Sequence, residues 1–179
     1  MTRTLREMTP ADIDLMIGYF INSDAAFLNG MGVDPARIPK WEDWRQLLER
    51  DMEQPLEQRK FYYLFWELDG RPIGHSNINK LVYGQEAYMH LHLWVADLRG
   101  GGHGTWFVRE SINRYFEKFE LQNLFCEPYA LNPAPNRTLP KVGFELVKTY
   151  ETTPGIVCFP QLVNRWVLTR DKWAQTTRY

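Results

Sequence analysis

Cysteine is scarce in this sequence: Cys126 and Cys158 are the only two among 179 residues, and they form no C-x-x-C pair. That excludes a disulfide framework and a cysteine-based zinc site, and two thiols expected to stay reduced fit a cytoplasmic setting. Excess charge of either sign is also missing. Lys plus Arg total 21 and Asp plus Glu total 22, for a net charge of -1. Neither a nucleic-acid binder working by phosphate neutralisation nor a polybasic membrane-surface protein is expected from that balance. There is no apolar run of the roughly 18 residues that a membrane-spanning helix needs. The opening MTRTLREMTPADIDLM carries charges where a signal peptide would need its apolar stretch. Internal repeats and low-complexity tracts are absent too.

What the chain does have is core-forming material: 44% hydrophobic and 15% aromatic residues. That is enough for a single domain over residues 1–179, and the aromatic content leaves room for an interface between two copies. Thr4 to Met8 reads as a short strand. Thr9-Pro10-Ala11-Asp12 has the residues of a helix start, with Thr9 as cap, Pro10 at the first helical position and Asp12 at the capping-box position. Ile13, Met16, Ile17 and Phe20 continue it at helical spacing. The stretch from Asn22 to Lys40, broken by Asn29-Gly30, Gly32, Pro35 and Pro39, reads as loop. A second helix runs from Trp41 to about Gln54. FYYLFWEL, Asp69-Gly70 and RPIGHSNINKLVY form a hairpin pattern, and AYMHLHLWV adds a third strand. A long amphipathic helix follows, then a strand from Leu124 to Tyr129 and a proline-interrupted helix from Asn132 to Val142. FELVKTYE and NRWVLTRD supply two closing strands. This order predicts an α/β domain with one mixed sheet, and a parallel strand pair across the segment from Ala87 to Ala130.

Between the third strand and the long helix lies Arg99-Gly100-Gly101-Gly102-His103-Gly104-Thr105. Four glycines in five positions cost backbone entropy, and a turn needs only one or two of them. Glycine lets backbone N–H groups approach a ligand closely, and the N-terminus of the following helix favours negative charge. Together they suit a pyrophosphate. The cluster is neither G-x-x-x-x-G-K-[ST] nor G-x-G-x-x-G, so a P-loop nucleotidase and a Rossmann dehydrogenase are both unexpected.

The cluster does fit R-x-x-G-x-G, as Arg99, Gly102 and Gly104. A second block, Asn132 through Lys141, Gly143 and Phe144, fits N-(x)8-K-x-G-F. In both motifs and in element order the sequence resembles the GNAT acetyltransferase superfamily. Glu127-Pro128 and Thr152-Thr-Pro-Gly155 look most like the branch holding aminoglycoside 6′-, siderophore hydroxylysine and ribosomal-protein N-terminal acetyltransferases. The resemblance implies a twisted, mostly antiparallel mixed sheet of about seven strands flanked by about four helices. It also implies an acetyl-CoA-dependent N-acetyltransferase acting on a primary amine of a small molecule or on a peptide N-terminus, by direct attack in a ternary complex. Arg99, Gly100, Gly101, Gly102, His103, Gly104 and Thr105 would hold the pyrophosphate of acetyl-CoA. Backbone amides near Trp94 and Val95 would face the thioester and the pantetheine arm, and Asn132 would steady that arm.

Acetyl transfer requires a neutral amine, although a free alkylamine has a pKa of about 10. It also requires donors already in place for the tetrahedral oxyanion. Strand alternation puts His90, His92 and Trp94 on one face and Met89, Leu91 and Leu93 on the other, as core. His90 or His92, with Glu127 from the neighbouring strand, is the candidate substrate anchor and proton acceptor. Many relatives carry a tyrosine acid four residues before the Gly-Phe glycine. Leu139 stands there in this chain, and Tyr129 is the candidate stand-in. Cys126 reads as a small buried hydrophobe. The resemblance also implies that the loop from Asn22 to Lys40 and the second helix border the acceptor cleft; they carry Asp24, Phe27, Asp34, Trp41, Glu42 and Trp44, and acids with aromatics suit a cation.

Two other readings compete. The missing tyrosine at position 139 would suit a non-catalytic acyl-CoA-binding module. The spacing Gly84, His90, His92, Asp97, Gly104 resembles the first metal-binding motif of cupins, with Asp for the usual Glu, although no histidine follows His103 to supply their second motif.

Overall fold

Period-two alternation along the middle of the chain builds one open sheet with a different core on each face. A computed structural model describes residues 1–98 and 100–176. Its strands are β1 (Arg3–Glu7), β2 (Tyr62–Leu68), β3 (Arg71–Val82), β4 (Glu86–Leu93), β5 (Asn123–Cys126), β6 (Glu145–Thr152) and β7 (Gln161–Thr169). They are ordered β1-β2-β3-β4-β5-β7-β6. Every neighbouring pair is antiparallel except β4 with β5, the parallel pair expected across the long helix. The helices are α1 (Ile13–Ile21), α2 (Ala25–Gly30), α3 (Trp41–Met52), α4 (His103–Phe119), α5 (Pro133–Thr138) and α6 (Arg170–Thr176).

One face of the sheet packs against α4. Leu64, Trp66, Ile78 and Met89 meet Phe107, Ile112, Tyr115, Phe116 and Phe119 there. Each such side chain contributes about 1.5–3 kcal/mol by leaving water. Four polar side chains on this face form two hydrogen-bonded pairs. Trp66 Nε1 donates to Ser111 Oγ at 3.1 Å, Tyr115 Oη to Ser76 Oγ at 2.8 Å, and Ser76 Oγ to the His90 carbonyl at 3.0 Å. On the opposite face, Tyr63 and Phe65 of β2 pack with Ile13, Met16, Ile17 and Phe20 of α1 and with Trp44 and Leu48 of α3. The start of α1 is held as its sequence suggests: the Asp12 carboxylate accepts from the Thr9 amide at 2.8 Å and takes both Arg6 terminal nitrogens at 2.7 and 2.8 Å.

The sequence predicts about four helices, and the described residues form two more. α2 lies inside the expected loop, capped by Asp24, whose carboxylate accepts from the Phe27 amide at 2.8 Å. Six residues are too few to show a helical period. α6 begins where the last strand was expected to continue. The Arg170 N–H still donates to the Gln122 carbonyl at 2.8 Å, and its guanidinium donates to the Leu121 and Phe116 carbonyls, just past and within the last turn of α4. Trp173 then stacks on Phe116 at 4.9 Å. β5 ends at Cys126, three residues early, ahead of Pro128, which has no N–H for a ladder.

The sheet stays open at β1 and β6 and the glycine loop runs into 17-residue α4, so the cupin-like spacing belongs to no barrel. Among the described residues, no helix is long and apolar enough to cross a membrane.

Candidate active site

β4 and β5 pair over only three positions, Glu86 with Asn123, Ala87 with Leu124 and Tyr88 with Phe125. Beyond Tyr88 the strands diverge, while β4 stays zipped to β3 as far as Leu93. The divergence opens a cleft of about 140 Å³. Its floor is the α1–α3 face of β3 and β4, carrying His75, Asn77, Asn79, His90 and His92. Phe20 and Trp44 close one side, and Glu127, Pro128, Tyr129 and Asn132 the other. The roof joins two distant segments: Val33 bridges to Cys158, Asp34 N–H donates to the Val157 carbonyl at 2.8 Å, and Gln161 Nε2 donates to the Gly32 carbonyl at 2.8 Å.

His90 and His92 therefore line the cleft on one face, as alternation predicts. Burial, with Lys80 nearby, pushes the His90 imidazole down to about 4. Burial, with His90 adjacent, pushes His92 down to about 3. Both rings are neutral at pH 7.

Sequence reasoning missed a third histidine. His75 faces His92 across the β3–β4 ladder and stacks on it at 4.6 Å. Burial and the two neighbouring histidines hold it well below the usual histidine value. Its Nδ1 accepts the Trp94 indole N–H at 2.9 Å. A neutral imidazole that accepts at Nδ1 carries its proton at Nε2, so His75 presents an N–H donor whose tautomer Trp94 fixes. The signal in sequence was its place in a hairpin strand two residues before Asn77, but the partner strand and register were needed to read it.

Glu127 is buried and lines the cleft, but it is already engaged: Tyr150 Oη donates to it and Arg165 Nε lies 3.6 Å away. Arg165 is held in turn by the Tyr88 hydroxyl at 2.6 Å and lies over the Phe125 ring. Neither Tyr150 nor Arg165 was singled out in the sequence, because β5, β6 and β7 bring them together across long separations. Tyr129 is half-buried in the cleft wall, edge-on to Phe159. Asn132 caps α5, its carboxamide oxygen accepting from the Ala134 amide at 3.3 Å. Asn136, also unforeseen, ties this corner together. It donates to the Tyr129 and Asn132 carbonyls and accepts from Asn164 and the Trp166 indole.

Two expectations need correction. The Trp94 N–H donates to the Ile73 carbonyl at 2.8 Å, so that amide continues the β3–β4 ladder and is not available to a thioester. Of the two amide positions, Val95, which is exposed, remains. The acids of the loop from Asn22 to Lys40 serve as caps: Asp24 holds α2, and Asp34 accepts from the Ala36 amide at 3.0 Å. Trp41 donates to Asp14 at 2.9 Å, and only Trp44 of the six named residues lines the cleft. Leu139 is fully buried core, and burial pushes the Cys126 thiol up, as an inert hydrophobe should be.

Arg99 lies outside the described residues. Gly100 and Gly102 adopt φ of +85° and +76°, which only glycine takes at little cost, and Gly102 caps α4. Gly104 is different. It sits in the first turn of α4 with ordinary helical backbone, and a Cβ there would meet nothing within 4 Å. Neither backbone angle nor packing explains a glycine at this site, whereas close approach of a phosphate to helix N-terminal amides does. The residues present thus fit a diphosphate. Thr105 lies in the same turn, and His103 Nδ1 accepts from Arg3 Nε at 3.2 Å. Among the described residues, no three His, Cys, Asp or Glu side chains are grouped to hold a metal.

A family model described as "Acetyltransferase (GNAT) domain" matches residues 3–145. No curated protein matches the chain. Among solved structures, spermidine N-acetyltransferase from Vibrio cholerae in complex with CoA and spermine aligns at 15% identity and TM-score 0.76, covering 96% of this chain and 98% of that one. Aminoglycoside acetyltransferase AAC(6′)-Ib in complex with coenzyme A and kanamycin aligns at 21% identity and TM-score 0.73, covering 98% and 99%. The same protein with ribostamycin and coenzyme A gives 22% identity and TM-score 0.74, covering 100% and 99%. At such identities these likenesses speak to the fold.

Proposed function

The chain belongs to the GNAT acetyltransferase family, and from that membership we propose that it moves the acetyl group of acetyl-CoA onto a primary amine by direct attack within a ternary complex. The acceptor is a small molecule, with a peptide N-terminus as the alternative. The observation that carries this reading is Gly104, a helix-start glycine that neither backbone angle nor packing requires and that close approach of a phosphate accounts for. It stands at the head of α4, with the β4–β5 cleft beyond the strand that feeds the loop. Structural neighbours crystallised with CoA support the choice of donor.

Acetyl-CoA supplies an activated acyl carbon. The amine lone pair forms the C–N bond and turns the carbonyl into a tetrahedral oxyanion; the C–S bond then breaks as the carbonyl re-forms, one proton leaves the nitrogen, and CoA departs as the thiol. The glycine loop and the start of α4 hold the diphosphate, Asn132 and the β4 edge that β5 leaves unpaired flank the pantetheine arm, and Val95 N–H is the candidate oxyanion donor. His90 and His92, neutral at pH 7, accept hydrogen bonds from the amine. Imidazoles pushed this low orient an amine better than they store its proton. Glu127, with Tyr150 and Arg165, is the nearby carboxylate to which the proton can pass. Tyr129 is the candidate acid for the departing thiolate. Neutrality of the attacking amine is favoured by the same burial that keeps the histidines uncharged.

The test is an acceptor screen read by free CoA thiol, on wild type and on His90→Ala, His92→Ala and Glu127→Ala. Thiol release that falls at least about tenfold in one or more variants supports the assignment. Unchanged rates in all three would overturn it, and CoA binding without thiol release across the panel would make the chain a binding module.

A further inference from the structure

The cleft that receives the acceptor has little charge to offer it. Among the described residues, Glu127 is the only carboxylate lining it, and Tyr150 and Arg165 already satisfy that group. Of the three acids that the sequence placed nearby, Asp24 and Asp34 are occupied as helix caps and Glu42 does not line the cleft. A polyamine or an aminoglycoside brings several ammonium groups, and each must leave water for a compensating anion or stay outside.

What the cleft does offer is neutral hydrogen bonding on an aromatic wall. Among the described residues, six buried side-chain polar atoms have no partner, and five of them belong to residues lining this cleft: His75 Nε2, Asn79 Oδ1, His90 Nε2, His92 Nδ1 and Gln161 Oε1. His75 Nε2 is a donor by tautomer, while the Asn79 and Gln161 oxygens are acceptors. Buried polar groups left unpaired by the protein are the ones a ligand is built to meet.

Resting on the acetyltransferase reading, we propose that the acceptor is a monoamine with an uncharged body, carrying hydroxyl or amide groups beside an aromatic or aliphatic part, and not a polycation. The amine is the one cationic group that enters, and it enters beside Glu127. The hydroxyl or amide exchanges hydrogen bonds with His75, Asn79 and Gln161, and the hydrocarbon part packs on Phe20, Trp44 and Tyr63. The preference thus departs from what the structural neighbours were crystallised with.

The experiment compares kcat/KM for phenylalaninol and tyramine with that for spermidine and kanamycin, using acetyl-CoA and thiol release, at low and at high salt. Expected is a preference for at least one monoamine of about tenfold or more, with little salt dependence for that substrate. Leu47 is 40% exposed at the mouth on α3. Leu47→Glu adds the missing carboxylate there and should move the spermidine-to-phenylalaninol ratio upward several-fold in low salt. A wild-type preference for spermidine or kanamycin overturns this inference and leaves the acetyltransferase reading standing. So does a Leu47→Glu ratio identical to wild type. If calorimetry shows no CoA binding, both fall together.

Discussion

Replacing Gly104 with alanine should make the free protein more stable and its complex with CoA weaker. The two effects have separate origins. Gly104 has ordinary helical backbone and open space around its Cα, so alanine fits without strain. Alanine is the better helix former by up to about 1 kcal/mol in a helix interior, and part of that gain comes from restricting the unfolded chain. In the first turn of α4 a gain of about 0.5 kcal/mol is reasonable. For a chain of this size that raises the melting temperature by about 1–2 °C. The added methyl, however, stands where the diphosphate must come. Pushing it off one charge-assisted amide bond costs about 1.5–3 kcal/mol, or roughly ten- to hundredfold in Kd.

Thermal unfolding of the free protein and calorimetric titration with CoA read the two effects independently. Gly100→Ala is the contrast: at φ +85° a side chain costs about 1–2 kcal/mol whether or not a ligand is present. If Gly104→Ala bound CoA as tightly as wild type, the backbone would not be approached at that point. The argument that ties the glycine loop to a diphosphate would then be wrong.

Stability should fall on acidification in two windows. The three cleft histidines are held below their unfolded value near 6.5, His90 at about 4 and His92 at about 3. The unfolded chain therefore takes up protons that the fold refuses, and stability is lost as pH drops from about 6.5, by about 1.4 kcal/mol per pH unit for each histidine involved. Asp12 is held at about 2 by Arg6, so its contribution is present above about pH 4 and disappears only in stronger acid. Denaturant midpoints that stay flat between about pH 6.5 and about pH 4.5 would contradict the histidine burial. Ser111→Ala strands the indole N–H of Trp66, which is 1% exposed and donates to that hydroxyl; it should cost about 1–3 kcal/mol, read as a lower urea midpoint at unchanged slope. Asp12→Ala removes the anchor of Arg6 and the Thr9 amide at the start of α1, and should cost about 1–2 kcal/mol by the same measurement.

The sheet was legible because its signals are local. Asp69-Gly70 closes the hairpin, alternation from Ala87 to Leu93 assigns the two faces of β4, and glycines stop one element and start the next. The His90/His92 face and the Met89/Leu91/Leu93 core were readable for the same reason. What was not legible depends on register or on distant partners. His75 joins the site only because β3 pairs it with His92. Tyr150 and Arg165 reach Glu127 only because β5, β7 and β6 lie in that order. Asp24 and Asp34 were placed at the cleft by resemblance to the family, and their work as caps is a matter of single hydrogen bonds. The Trp94 amide failed as a donor because it is bonded to the Ile73 carbonyl, a partner that only the β3–β4 register reveals.

The two faces of the sheet treat polarity in opposite ways, and the difference locates the chemistry. Under α4, Trp66, Ser111, Tyr115 and Ser76 pair among themselves. Toward the cleft, five buried polar atoms go unpaired, while the sixth, the Tyr62 hydroxyl, lies on the α4 side near Glu7. At about 1–3 kcal/mol each, five unpaired atoms weigh heavily against the roughly 5–15 kcal/mol that holds a domain together. A fold retains such a deficit where a bound molecule offsets it. An acceptor with matching neutral groups should therefore raise the melting temperature of the CoA-saturated protein, by an amount that grows with its concentration over Kd. A polycation with no groups for His75, Asn79 or Gln161 should raise it far less. Equal shifts from phenylalaninol and spermidine would mean that those atoms are met by something other than the acceptor.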